Sequence, residues 1–249
     1  MRYFELDHNT DPQIVGVTNG TGQLNGSDLY NSSNQWHHNI FRIQPKIDRK
    51  FWWKKWVHSK EYAAHPLEGI VLDKKGKLTD YMQFNSKGFY VSEKLKSILE
   101  GAHLPPHIFQ QTVITSLKTS KPINGYYWFA YDFDMGDHTI DYSRSKFTLE
   151  QHEKKYNRKF FVNSYDDYMK VFYETGEALS ARKIVFNENF DKDLDIFSVQ
   201  FLLWHPYISE RLLEVWQKEG ITGYVARSPE SMKNRAERFN KVYEELVFE

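Results

Sequence analysis

The chain has no cysteine among its 249 residues. That excludes a disulfide framework, a thiolate metal site and a cysteine nucleophile, and it agrees with a reducing compartment. It also lacks an excess of either charge, since 33 Lys and Arg balance 33 Asp and Glu. A neutral chain has no global field to draw it to nucleic acid or to an anionic membrane. No apolar run approaches the ~20 residues that span a bilayer. The opening residues, MRYFELDHNT, lack the basic and long apolar regions of a secretory signal. The expected setting is therefore the cytoplasm. No HExxH, no phosphate-cradling glycine loop and no glycine-flanked nucleophilic serine is present, and no cofactor is expected.

What is abundant is aromatic: 16 Tyr, 18 Phe and 7 Trp in a chain that is 40% hydrophobic. This is enough for one large domain or two small ones. One stretch occurs twice. Gly88–Leu99, GFYVSEKLKSIL, returns as His205–Trp216, HPYISERLLEVW, without a gap. Tyr90, Ser92, Glu93 and Leu95 align with Tyr207, Ser209, Glu210 and Leu212. Each serine is a good helix N-cap, because its oxygen can accept a bond from an unpaired first-turn amide. The glutamate that follows lies near the positive end of the helix dipole. Leu95, Ile98 and Leu99 line one helix face, as do Leu212, Val215 and Trp216. Left-handed glycines at Gly101 and Gly220 should end the two helices. The alternative to a repeated strand–helix unit (88–104 and 205–221) is convergence on good capping chemistry.

Other signals give the organisation. Arg2–Leu6 reads as an opening strand, and Gly16–Asn34, rich in Gly, Asn, Ser and Thr, as a loop. Leu67–Asp73 reads as a strand. Ile108–Ser116 and Gly125–Phe133 read as antiparallel neighbours, with Lys121-Pro122 and Asn124-Gly125 as turn signals. Thr139–Tyr142 and Lys146–Leu149 extend that sheet. Ser164 caps a helix that presents Tyr168, Val171 and Phe172 and ends at Gly176. Arg182–Phe186 is a strand, and the apolar run in Asp195–Trp204 reads as a central one. The acidic run Glu188–Asp195 should face solvent. Thr222–Ala226 is a short strand, and Pro229 opens a last helix with a seam of Met232, Ala236, Phe239, Tyr243 and Leu246. The expected fold is α+β, a mainly antiparallel sheet with short capped helices packed on it. An irregular region, 1–66, would pack on a domain formed by 67–249.

Three groups are candidates for chemistry or binding. Asp132–Asp141, DFDMGDHTID, offers Asp132, Asp134, Asp137 and His138 as metal ligands that could activate water. The run does not follow the calcium-loop spacing, and an acidic turn between strands explains it equally. Lys50–Lys60, KFWWKKWVHSK, carries Trp52, Trp53 and Trp56, which could stack on bases, grip a protein partner, or pack as one helix face. His37-His38 is a poor ligand pair, since adjacent side chains diverge in regular structure.

The segment from about Leu67 to Ala226 resembles a family of bacterial immunity proteins of polymorphic toxin systems, formerly catalogued as a domain of unknown function. The resemblance rests on FYVSEKLKSIL, GYYWFAYDF, IDYSRSKF and YISERLLEVWQKEGITGYV. It implies an α+β protein without catalytic residues that binds and neutralises a cognate protein toxin. The alternatives from other classes are a metal-dependent hydrolase or nuclease using the Asp132–Asp141 cluster, and a nucleic-acid-binding module using Lys50–Lys60.

Overall fold

Ser92 closes a strand and opens a helix in consecutive residues, and the architecture grows from junctions of this kind. The computed structural model describes residues 2–18, 22–25, 67–83, 88–176, 179–199, 205–238 and 245–248. The tryptophan run and His37-His38 lie outside the described residues. In chain order the elements are β1 (Tyr3–His8), α1 (Pro12–Val15), β2 (Leu24–Asn25), β3 (Leu67–Leu72), β4 (Tyr81–Met82), β5 (Phe89–Ser92) and α2 (Glu93–Leu99). There follow β6 (His107–Ser116), β7 (Pro122–Tyr131), β8 (Lys146–Thr148), α3 (Glu150–Tyr156), α4 (Tyr165–Thr175) and β9 (Ser180–Phe186). The last are β10 (Ile196–Phe197), β11 (Tyr207–Ser209), α5 (Glu210–Lys218), β12 (Tyr224–Arg227), α6 (Pro229–Arg238) and β13 (Glu245–Phe248). Short helices on mainly antiparallel sheets make the fold α+β.

The chain forms two compact units, each discontinuous in sequence. One comprises Leu6–Asp132 and Arg211–Val225, the other Met1–Glu5, Phe133–Glu210 and Ala226–Glu249.

The first unit is built on a six-stranded sheet of order β2-β3-β6-β7-β5-β4, antiparallel except for β3 against β6. One face carries Phe89, Phe109, Phe129 and Tyr131, with ring centroids 5.0–5.2 Å apart between Phe129 and each of the other three. Alternation along the strands puts Tyr90, Trp128 and Gln110 in one buried cross-strand row on the opposite face. Leu95 and Leu99 of α2 are fully buried, as the helix-face spacing requires. In α5, Leu212, Leu213 and Trp216 are buried, and the Trp216 ring lies 6.1 Å from Tyr81 and 5.1 Å from Tyr224.

The second unit pairs β13 parallel to β9 and β8 antiparallel to it. A four-stranded sheet has the order β10-β11-β1-β12, and Glu5 and Arg227 form an ion pair on its neighbouring strands. Its core is aromatic. Phe186 stacks on Phe248 at 4.9 Å, and Tyr3 meets Phe197 edge-on at the same distance. In α4 the Ser164 hydroxyl accepts from the Asp167 amide while the Asp167 carboxylate accepts from the Asn163 amide, so both sides of the helix start are satisfied. Tyr168 and Val171 are buried, and left-handed Gly176 ends the helix as expected.

Several elements differ from the sequence reading, each for a local reason. Helix α2 does not end in a left-handed glycine: Glu100 stays right-handed, and the amides of Gly101 and Ala102 bond three residues back, the tighter turn common at helix ends. Asn124-Gly125 is no turn. It lies inside β7, where Gly125 takes φ +83° and the register against β6 shifts, a bulge. Residues 139–142 and β8 extend the β9 sheet, since Ile140 bridges Phe186, Asp141 donates to Val185, and the Val185 amide donates to Ser145. The run after Asp195 forms the edge strand β10; Ile196, Phe197 and Val199 are apolar because the core covers them, not because the strand is central. Asp195 itself is buried rather than facing solvent. Leu246, read as a helix position, is on β13, while Phe239 and Tyr243 lie outside the described residues.

Ser92 is the junction on which a measurement bears most directly. Its Oγ accepts from the Leu95 amide at 3.2 Å and donates to the Asp80 carboxylate at 2.7 Å. Ser92→Ala should lower stability by about 1–2 kcal/mol, a lost cap plus a lost charge-assisted bond. Urea denaturation read by tryptophan fluorescence will show this, and an unchanged midpoint would remove the cap from the account.

Candidate functional site

The Ser-Glu pairs of the twice-occurring stretch invite a catalytic reading, and the geometry gives them architectural partners instead. Asp80 Oδ1 accepts from Ser92 Oγ, and its Oδ2 accepts from both the amide and the hydroxyl of Thr222. The Ser92 amide also donates to the Asp80 carbonyl. The second copy uses the same pattern: Ser209 Oγ donates to the Asp195 carboxylate and the Ser209 amide to the Asp195 carbonyl. The strand registers agree as well. Tyr81 and Met82 face Val91 and Tyr90, just as Ile196 and Phe197 face Ile208 and Tyr207. An aspartate preceding a two-residue strand thus belongs to each copy, although the sequence comparison began only at Gly88 and His205.

The glutamates are engaged elsewhere. The Tyr127 hydroxyl donates to Glu93, and this bond, with lesser contributions from burial and charge, raises the tyrosine above its ordinary value. Lys96 extends over the Tyr127 ring, 5.1 Å from its centroid. Glu210 lies 4.0 Å from Arg2, whose other guanidinium nitrogen is 2.7 Å from Glu230. Burial, with the Asp80 charge second, pushes the Tyr126 hydroxyl up to about 12. The Ser92 and Ser209 hydroxyls each donate to a carboxylate.

The acidic run is spread over several backbone tasks. The Asp132 amide donates to Pro106 at the end of β7. Asp134 donates its amide to Ser198, and its carboxylate accepts from the Gly136 amide at 2.7 Å. Asp141 closes the next turn by accepting from the Ser143 hydroxyl and the Arg144 amide. The Ser143 bond is the main reason its carboxyl is held below the ordinary value. His138 is exposed, 3.7 Å from the Asp137 carboxylate, and its carbonyl accepts from Asn187 and Asn189. Among the described residues, no three His, Asp or Glu side chains are grouped so as to hold a metal ion. Burial raises Asp134 above its ordinary value, against the opposing bond from Gly136.

Two exposed rings escaped the sequence reading. Phe161 is 74% and Tyr173 73% exposed, on segments joined by the Arg158–Glu174 ion pair and by the Tyr156 hydroxyl on the Thr175 carbonyl. Their neighbours Phe160 and Phe172 are at least partly buried. The alternation that exposes Phe161 was there to be seen, yet composition alone counts every aromatic as core.

A protein-family model, described as Immunity protein family (Imm11), matches residues 46–229. The chain belongs to this family. No curated protein matches it. Membership in the Imm11 family gives the chain a toxin-immunity role in general terms, and the match takes in both copies of the capped strand–helix stretch. No helix among the described residues is long and apolar enough to cross a membrane.

The carboxylate of Asp134 supplies a pH test. A folded-state pKa above the ordinary 3.8 means that the native state holds this proton more tightly than the unfolded state. Stability from this group therefore falls as pH rises from 3.8 through the raised value, and is regained below. Asp134→Asn keeps an oxygen acceptor for the Gly136 amide and removes the buried charge. The variant should match the parent in thermal stability near pH 3 and exceed it at pH 7. Equal melting temperatures at both pH values would show that the carboxylate is solvated after all.

Proposed function

We propose that this Imm11 family member acts without catalysis, in the cytoplasm, by binding a cognate protein toxin and blocking it. The observation that carries the proposal is the family match over residues 46–229. The site geometry is in keeping with it: the Ser-Glu pairs and the acidic run serve caps and turns, which is what a binding scaffold needs of them. A binding protein draws affinity from a few well-packed side chains on a rigid frame, and two aromatic-cored units provide such a frame. In this reading 67–249 holds most of the immunity domain, 1–66 adds β1 and β2 to its sheets, and Trp52, Trp53 and Trp56 are candidate toxin contacts.

Co-expression is the direct test. The chain should restore growth to cells producing the toxin encoded beside its gene, and the two proteins should co-purify as a complex. Rescue without a complex, or a complex without rescue, would contradict neutralisation by direct binding.

A further inference from the structure

One end of the six-stranded sheet collects positive charge that the neutral composition hides. Three segments meet there: α1, the β3–β4 loop over Asp73–Thr79, and the β6–β7 turn over Leu117–Lys121. Backbone bonds join them. The Leu117 amide donates to the Leu72 carbonyl, the Lys77 amide to Val15, and Lys77 Nζ to the Gln13 carbonyl. Gly16 seals the contact of α1 with the loop: it takes φ +82°, and a Cβ there would lie 2.1 Å from the Lys75 carbonyl oxygen.

The β3–β4 loop contributes Lys74, Lys75 and Lys77, and the β6–β7 turn contributes Lys118 and Lys121, all exposed. None of the five is in an ion pair with a carboxylate among the described residues. The two carboxylates on these segments are turned to local backbone, Asp73 to the Lys75 amide and Asp11 to the Gln13 amide. The same three segments also expose Ile14, Leu78 and Leu117, at 38%, 41% and 43%. These are three of the six large exposed hydrophobic side chains among the described residues, and all three are aliphatic.

We propose that this lysine-rimmed aliphatic end is the docking surface for an acidic face of the cognate toxin. The inference rests on the immunity reading above and adds to it the place and chemistry of the contact. Apolar centre and charged rim are the arrangement of protein interfaces. Unpaired lysines around the centre accelerate encounter with an acidic partner and reject a basic one. A nucleic-acid surface would call instead for planar groups on which bases stack, and among the described residues the exposed side chains of α1, the β3–β4 loop and the β6–β7 turn include neither an aromatic ring nor an arginine. A bilayer would call for fully protruding apolar side chains, whereas these aliphatics are more than half covered by their own fold.

The test uses the full chain and the toxin encoded beside its gene, with affinity measured by calorimetry across a salt series. The parent should bind, and more weakly as salt rises. Lys74→Glu with Lys75→Glu and Lys118→Glu should weaken binding on the order of tenfold or more and flatten the salt dependence. Leu117→Ser should weaken it at every salt concentration. Unchanged binding by the charge-reversed variant, with loss in Phe161→Ser or Tyr173→Ser, would overturn the assignment in favour of the α3–α4 surface. Salt-independent binding by the parent would overturn it without recourse to any variant. Retained toxin binding in the charge-reversed variant, together with loss of binding to a short single-stranded RNA that the parent binds, would make the surface a nucleic-acid site. A parent that neither binds nor protects would remove the immunity reading and this one with it.

Discussion

A carboxylate that holds a serine at the point where strand becomes helix is the constraint on which much else depends. Each of Asp80 and Asp195 takes both the hydroxyl and, through its carbonyl, the amide of its serine. The two bonds fix where the short strand pairs and at which residue the helix begins. A hydrogen bond to a carboxylate is worth roughly 1.5–3 kcal/mol, comparable to what the ladder of a two-residue strand contributes. β4 and β10 are two residues long and still have a defined register. In the first unit Asp80 does one thing more: by accepting from Thr222 it ties the loop after α5 to the start of α2. The Lys94 ammonium on the Glu219 carbonyl reinforces that tie.

Features governed by near neighbours were the legible ones. Ser92, Ser164 and Ser228 precede helices because capping is settled within three residues of sequence, and the leucine spacing of α2 announced its buried face. Asp80 and Asp195 were not legible as partners of those serines, because a strand pairing brings them together. Asn124-Gly125 carries the signature of a turn, and only the register of β7 on β6 shows that the left-handed glycine makes a bulge. Leu246 fits a helical seam with Met232 by spacing alone, but β9 offered an open edge on which β13 pairs. The acidic run admits two readings from sequence, and in the structure Asp134 and Asp141 each accept bonds within a turn. The lysine-rich end of the six-stranded sheet is the sharpest case. Its segments are scattered from Pro12 to Lys121, and a net charge of zero gives no hint that one place would gather five lysines without an ion pair among the described residues.

Family membership and surface chemistry answer different questions about an Imm11 protein. The family says what kind of work the chain does in general terms; the arrangement of charge and exposed side chains is what the proposed docking surface draws on. Charge in this molecule is balanced in sum and segregated in space. In the α3–α4 region Arg158 pairs with Glu174 and Lys159 with Glu153, while among the described residues no carboxylate pairs with the five lysines of the sheet end. Such segregation leaves stability and solubility governed by the whole chain, and gives one locality an electrostatic preference of its own.

The second unit draws its core from both extremes of the described chain. Tyr3 packs on Phe197 and Phe248, and β13 pairs parallel to β9 at residues 245–248. During synthesis, Tyr3, Phe4 and Glu5 must wait for their strand partners Ser209, Ile208 and Tyr207, and β9 lacks its β13 neighbour until residues 245–248 are made. Contacts of such long sequence separation close slowly, and an unpaired edge is open to wrong partners in the interval. The first unit, whose sheet lies wholly within Leu6–Asp132, carries no such delay in its strands. The order of synthesis therefore lets the six-stranded sheet close before the second core can, so a newly made molecule gains its sheet end before the packing of its second unit.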